Sequence, residues 1–143
     1  MDTLVKEKII SMINSAKTVE VASVDEEGFP NIKAMFATNK HEGVKTHYLS
    51  TNTSSHRVQQ FIKNPKAALY FCEPEEINGV MLRGTVEVCM DAYHRELLWN
   101  PGDEQYYPQG VTDPDYCVLR FTAMDGNCWI CGAGKTYFQI DEL

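Results

Sequence analysis

The nine residues from Val80 to Val88 alternate without a break. Val80, Leu82, Gly84, Val86 and Val88 fall on one side, and Met81, Arg83, Thr85 and Glu87 on the other. Side chains of a β-strand point to opposite faces with a period of two, so this run predicts a strand with one face in a core. One such strand needs partners along both edges, and the rest of the chain supplies them. Thr18 to Val24 is rich in β-branched residues, Asp25-Glu26-Glu27-Gly28 is turn chemistry, and from Pro30 the alternation resumes. There Ile32, Ala34 and Phe36 oppose Asn31, Lys33 and Met35, so the two runs predict a hairpin. A turn at Lys40-His41-Glu42-Gly43 leads to a third strand from Val44 to Ser50. The apolar run Ala67 to Cys72 predicts a strand buried on both faces. Further strands are expected near Tyr116–Thr122, Asn127–Cys131 and Thr136–Ile140.

Helical spacing is confined to three places. Leu4, Val5, Ile9, Met12, Ile13 and Ala16 recur at three and four residues, which predicts an amphipathic helix ending near Lys17. Ser54 to Asn64 carries Val58, Phe61 and Ile62 on one face and is stopped by Asn64-Pro65. Ala92 to Trp99 follows Asp91 as its N-cap. These helices do not alternate regularly with the strands, which disfavours a doubly wound sheet. The expected class is mainly β: a closed or split antiparallel barrel of six to eight strands with short flanking helices, in a single domain covering residues 1–143. Between Asn100 and Asp115 lies an irregular stretch rich in Pro, Gly and Tyr, long enough to need a purpose.

Composition narrows the function. A formal net charge of −7 leaves no basic stripe to follow a phosphate backbone or an anionic membrane, so neither nucleic acid nor membrane is an expected partner. The N-terminal residues Met1 to Lys8 carry charges on both sides of a short apolar run, unlike a signal peptide, and a cytoplasmic location is expected. Cys72, Cys89, Cys117, Cys128 and Cys131 are odd in number and scattered, as reduced, buried thiols would be.

Chemistry concentrates in Tyr48-Leu49-Ser50-Thr51-Asn52-Thr53-Ser54-Ser55-His56-Arg57. A strand ends in a cluster of hydroxyls, a helix begins, and two basic residues stand in its first turn. Helix N-termini bind phosphate through unpaired N–H groups, and an Arg can clamp an oxyanion with two donors. Thr51, Ser55 and Arg57 then form a phosphate cradle. The same residues also fit a plain helix start, with Thr53 or Ser54 as the N-cap and His56 and Arg57 solvated.

The order and spacing of these residues resemble the pyridoxamine 5′-phosphate oxidase-like FMN-binding split barrels. The resemblance rests on Thr51-Asn52, Ser55-His56-Arg57 and Asn64-Pro65 in succession, and on Gly28-Phe29-Pro30 with Lys33-Ala34-Met35 upstream. Downstream, Arg83-Gly84-Thr85-Val86-Glu87, Leu98-Trp99 and Tyr107-Pro108 with Gly110 resemble the family's short, stress-protein-like members. Together these motifs cover roughly residues 10 to 125. The resemblance implies FMN as cofactor, with Lys33, Thr51, Ser55, His56 and Arg57 at its phosphate and ribityl chain. It implies Ala34, Met35, Ser50 and Asn52 along the isoalloxazine, and a homodimer with the flavin between protomers. An FMN-dependent oxidoreductase acting on a small molecule is the implied activity; a non-catalytic flavin- or heme-binding protein is the alternative. Three departures bear on this. His56 replaces a basic residue and carries less charge when neutral, Thr38 replaces a flavin-facing Lys, and no Arg follows Arg120 where the oxidase has its substrate motif. Pyridoxamine-phosphate oxidase activity itself is therefore not expected.

Other signals are discounted. Cys128-Trp129-Ile130-Cys131 has no second ligand pair for zinc, and residues three apart on a strand face opposite sides. Gly132 to Thr136 imitates the end of a P-loop, but Trp129 stands where the pattern needs Gly. His41, His47 and His94 are dispersed and read as surface residues. Trp129, Tyr106 and Tyr107 are either core or interface aromatics or flavin-stacking groups from the second protomer.

Overall fold

A computed structural model describes residues 1–38 and 40–143. The first helix, α1, spans Thr3–Ser15, and the Leu4 and Val5 N–H groups donate to the Asp2 carboxylate that caps it. It buries Val5, Ile9, Met12 and Ile13, the stripe its spacing predicts.

The strands are β1 (Thr18–Val24), β2 (Pro30–Phe36), β3 (His41–Glu42), β4 (Thr46–Asn52), β5 (Lys66–Glu73), β6 (Asn78–Cys89), β7 (Tyr116–Ile130) and β8 (Gly134–Gln139). All eight pair antiparallel in one sheet of order β2-β1-β5-β6-β7-β4-β3, with β8 added to β7. The mostly-β class and the strand number are as expected. The hydrogen-bonded path stays open between β2 and β3 rather than closing into a barrel. Helix α2 (His56–Lys63) follows β4 and helix α3 (Ala92–Leu98) follows β6. Asp91 caps α3 as expected, accepting the His94 N–H at 3.2 Å.

Three strand expectations are corrected. The two strands read at Tyr116–Thr122 and Asn127–Cys131 are one, β7, running fifteen residues. It pairs β4 with its first half, β8 with its second and β6 along most of its length. The break in its apolar pattern is a bulge: Arg83 faces Asp125 and Gly84 faces Ala123, so Met124 has no partner. Secondly, β5 is buried on one face only; Leu69 and Phe71 are interior while Tyr70 and Cys72 are exposed. Thirdly, His41–Glu42 is not a turn but a short strand, paired with His47 and Thr46.

The interior face carries Val19 and Val21, Leu69, Val80 and Leu82, Leu119 and Phe121, closed at one end by Val58 and Phe61 of α2. The opposite face is unusual. Following the register, Ala34, Glu20, Tyr70, Met81, Asn127 and Tyr137 form one row across six strands. Around it Ile32 and Phe36 stand 71% and 81% exposed, an apolar surface with no cover among the described residues.

His47 is buried, contrary to its reading as a surface residue. Its Nε2–H donates to the Val44 carbonyl at 3.0 Å, and its ring lies among His41, Phe71 and Phe121. Burial lowers its pKa to about 4. An imidazole released by unfolding takes up a proton below about pH 6.5, and the folded one does so only near 4. The unfolded state therefore binds more protons in this window. Stability is complete above about pH 6.5 and falls as the pH drops toward 4, by roughly 2 kcal/mol between pH 7 and 5. His47→Gln, which takes up no proton, is expected to flatten that part of a urea-unfolding pH profile. A wild-type profile already flat there would place His47 in contact with water.

Candidate functional site

The end of β4, the start of α2 and the segment after α3 surround a cleft of about 860 Å³. That volume is in the range of a small-molecule or cofactor site. Lys33 and Met35 enter it from β2, Ser50, Thr51 and Asn52 from β4, and Arg57 from α2. Strand alternation explains why Ala34 does not: Lys33 and Met35 share the face of Val21 and Val19, and Ala34 points to the opposite, outer face.

Ser55 is the N-cap of α2, in place of Thr53 or Ser54, and its hydroxyl accepts the Val58 N–H at 3.3 Å. His56 turns away from the cleft into a separate hollow of about 530 Å³ shared with Asp25, Glu26, Gln60 and Lys63. Six of the nine residues expected at the cofactor thus line one cleft, while Ala34, Ser55 and His56 lie outside its lining.

Asp115 is a residue that sequence reasoning missed. Its carboxylate accepts Asn52 Nδ2 at 2.9 Å and the Ser54 N–H at 2.8 Å, and its carbonyl accepts the Thr53 N–H at 2.8 Å. Donors from Asn52 and Ser54 hold its pKa below the usual carboxylate range. The hydroxyl-rich turn is therefore fastened internally, and its N–H groups at Thr53 and Ser54 are already used. The full charge that an anion needs has to come from a side chain.

Arg57 supplies it. The residue is 9% exposed, and its Nη2 donates to the Thr51 hydroxyl at 3.1 Å. Its Nε is buried with no hydrogen-bond partner, and among the described residues no carboxylate pairs with it. Burial pushes its pKa down. A guanidinium keeps its proton regardless, so a fixed positive charge sits half-desolvated with donors left over. Such a group is costly unless an anion completes it.

The far wall comes from α3 and the irregular stretch, through Leu97, Leu98, Asn100, Asp103, Gln105 and Tyr106. Its anchor is aromatic. Tyr107 lies 4.8 Å from Tyr116, Trp99 5.3 Å from Tyr116, and the Tyr116 hydroxyl donates to the Arg95 carbonyl at 2.7 Å. Burial raises both tyrosines to about 12. Tyr107 is thus largely core but still lines the cleft beside the exposed Tyr106, while Trp129 lies on the outer sheet face. The length of the stretch and its paired tyrosines were the sequence signals that it builds a wall.

Among the described residues, three of the cysteines are buried, but Cys72 and Cys131 are exposed, correcting the expectation that all five are interior. No described helix is long and apolar enough to cross a membrane.

The fold is an open antiparallel sheet flanked by a cleft in which Arg57 is buried without a carboxylate partner among the described residues. Residues 5–129 match the family model described as pyridoxamine 5′-phosphate oxidase, and the chain belongs to that family. The Mesorhizobium japonicum pyridoxine/pyridoxamine 5′-phosphate oxidase is 35% identical over 82 residues, 57% of this chain and 39% of that protein. The Legionella pneumophila enzyme (strain Paris) is 33% identical over 86 residues, 60% of this chain and 37% of its own length. The chain spans about two-fifths of the length of these curated relatives. A solved Clostridium acetobutylicum protein, related to general stress protein 26 of B. subtilis, matches end to end. It is 42% identical with a TM-score of 0.87, covering 99% of both chains. General stress protein 26 of Bacillus anthracis shares the fold at 18% identity, TM-score 0.76, covering 95% of this chain and 98% of its own.

Proposed function

We propose that this chain binds FMN in the cleft and serves as a flavin-dependent oxidoreductase on a small substrate. The observation that carries the reading is Arg57, a buried cation with unused donors at the cleft wall. A phosphate monoester completes it, with Lys33 adding a second charge and the Thr51 hydroxyl a further donor. Ser50 and Asn52 then lie along the ligand, and Met35 offers an apolar, adaptable contact. Bound FMN supplies the electron chemistry, and the protein supplies position and electrostatics.

The apolar outer face around Ile32, Phe36 and Tyr70 is the proposed homodimer surface, which brings Ala34 to the protomer boundary. Flavin held between protomers explains why so open a cleft needs no lid of its own.

The test is a visible spectrum after adding FMN and desalting, with mass measured by light scattering. One flavin per chain in a particle of twice the chain mass is the expected result. Colourless protein after desalting would overturn the FMN assignment, and a Soret band in the purified protein would put heme in its place. Retained flavin without turnover, using reduced nicotinamide and a range of acceptors, would leave a carrier rather than an enzyme.

A further inference from the structure

A second group of side chains converges away from the cleft, where β6 gives way to α3. Cys89 ends the strand, Asp91 caps the helix and His94 stands in its first turn. The Cys89 sulfur, an Asp91 carboxylate oxygen and a His94 ring nitrogen all lie within 4.8 Å of one another. Residues at i, i+2 and i+5 do not meet in a continuous strand or helix; the change of direction at Met90 brings them together. The three span the boundary from core to solvent: Cys89 is 4% exposed, and the side chains of His94 and Asp91 are 18% and 53% exposed. Contacts with Tyr48 and Tyr93 hold the His94 ring, at centroid distances of 5.9 and 5.2 Å.

We propose that Cys89, Asp91 and His94 form a site for a borderline-soft divalent cation of the zinc type. The donor set fits on three counts. One thiolate, one imidazole and one carboxylate match the preferences of zinc, whose bonds of about 2.0–2.3 Å place tetrahedral ligands about 3.3–3.7 Å apart. The present spread closes to that with side-chain rotation at the partly buried His94 and the exposed Asp91. The charges also balance: a thiolate and a carboxylate neutralise a divalent ion, so no net charge is left beside the buried sulfur. Finally, His94 Nδ1 is 2.8 Å from both Asp91 oxygens, and the ion takes the place of the proton between them. The neutral imidazole keeps its single proton, carried on Nε2 when Nδ1 binds the ion, and the thiol proton leaves to solvent as the metal binds. Capping alone accounts for Asp91 and His94 but gives no part to the sulfur beside them.

The ion joins the first turn of α3 to the end of β6. Leu97 and Leu98, in the last turn of the same helix, line the cleft. The metal therefore stiffens one cleft wall from outside, and the site stands whether or not the cleft holds flavin.

Cobalt titration of the whole protein tests this, read as a difference spectrum against the same sample without metal. One equivalent of Co²⁺ is expected to give d–d bands of a four-coordinate ion and a thiolate-to-cobalt charge-transfer band, both removed by Zn²⁺. Cys89→Ser should lose the charge-transfer band, and His94→Gln should bind Zn²⁺ weaker by at least the order of tenfold seen on losing even a supporting residue. Cys72→Ser combined with Cys131→Ser, which removes the exposed thiols, should leave the spectrum intact. Absence of the charge-transfer band, its persistence in Cys89→Ser or its loss in the double variant would each overturn the site. Should Cys89→Ser fail to fold, His94→Gln decides the matter on its own. Flavin content measured on the same samples reports separately on the cleft.

Discussion

Replacing Arg57 with alanine is expected to weaken FMN binding by about 3 kcal/mol, on the order of 100-fold in Kd. The guanidinium is buried against Thr51 with its Nε unpartnered, so a phosphate there meets a charge that water screens poorly. Removing one side of a desolvated charge pair carries most of its cost in the group left behind, here the phosphate. Riboflavin has no phosphate, and its affinity is expected to stay the same in the variant. Arg57→Lys should restore part of the loss, because an ammonium keeps the charge but not the planar fork. The free protein is expected to melt no lower than wild type, since a charge that lacks a counter-ion has been taken out. Fluorescence titration with both flavins separates the alternatives. Equal losses for FMN and riboflavin would make Arg57 a support of the wall, and unchanged FMN affinity would remove it from the site.

The second large effect is structural. Gly84→Ala is expected to destabilise the fold by at least about 3 kcal/mol, a fall in melting temperature on the order of 10 °C for a domain of this length. A Cβ at Gly84 would stand 2.0 Å from the Thr122 carbonyl oxygen and 3.0 Å from the Ala123 Cα. These are backbone atoms of β7 beside its bulge and have no rotamer by which to withdraw. The same crossing recurs at Gly126, whose added Cβ would meet the Met81 carbonyl oxygen at 2.3 Å. Glycine is needed here for close approach of two strands, not for its freedom in φ. Urea unfolding is the measurement; a Gly84→Ala midpoint equal to that of wild type would mean that β6 and β7 do not cross so closely.

Much of the fold was legible because its signals are local. The alternation from Val80 to Val88 is β6, the spacing of Val5, Ile9, Met12 and Ile13 is α1, and Asp91 caps α3. The errors share a cause. A break in an apolar pattern looks the same whether the strand ends or bulges, so β7 read as two strands. The unbroken apolar run of β5 read as buried on both faces because period alone does not say what covers each face. His47 carries no local mark of burial; Phe71 and Phe121 reach it from other strands.

The candidate site divides in the same way. Strand β4, the hydroxyl turn and Arg57 were readable, since a strand end, a helix start and a cation are neighbours in sequence. The sequence by itself determined which residues can hold an anion and which runs must be strands, because residue chemistry and side-chain period are properties of short segments. Only the tertiary structure decided which of those residues meet. Pairing with β1 turned Lys33 and Met35 inward and Ala34 outward, the path of α2 sent Arg57 into the cleft and His56 away from it, and Asp115, sixty residues on, took up the turn's own N–H groups. Each of these outcomes depends on chain segments far apart in sequence, whose contacts are set by the packing of the sheet as a whole.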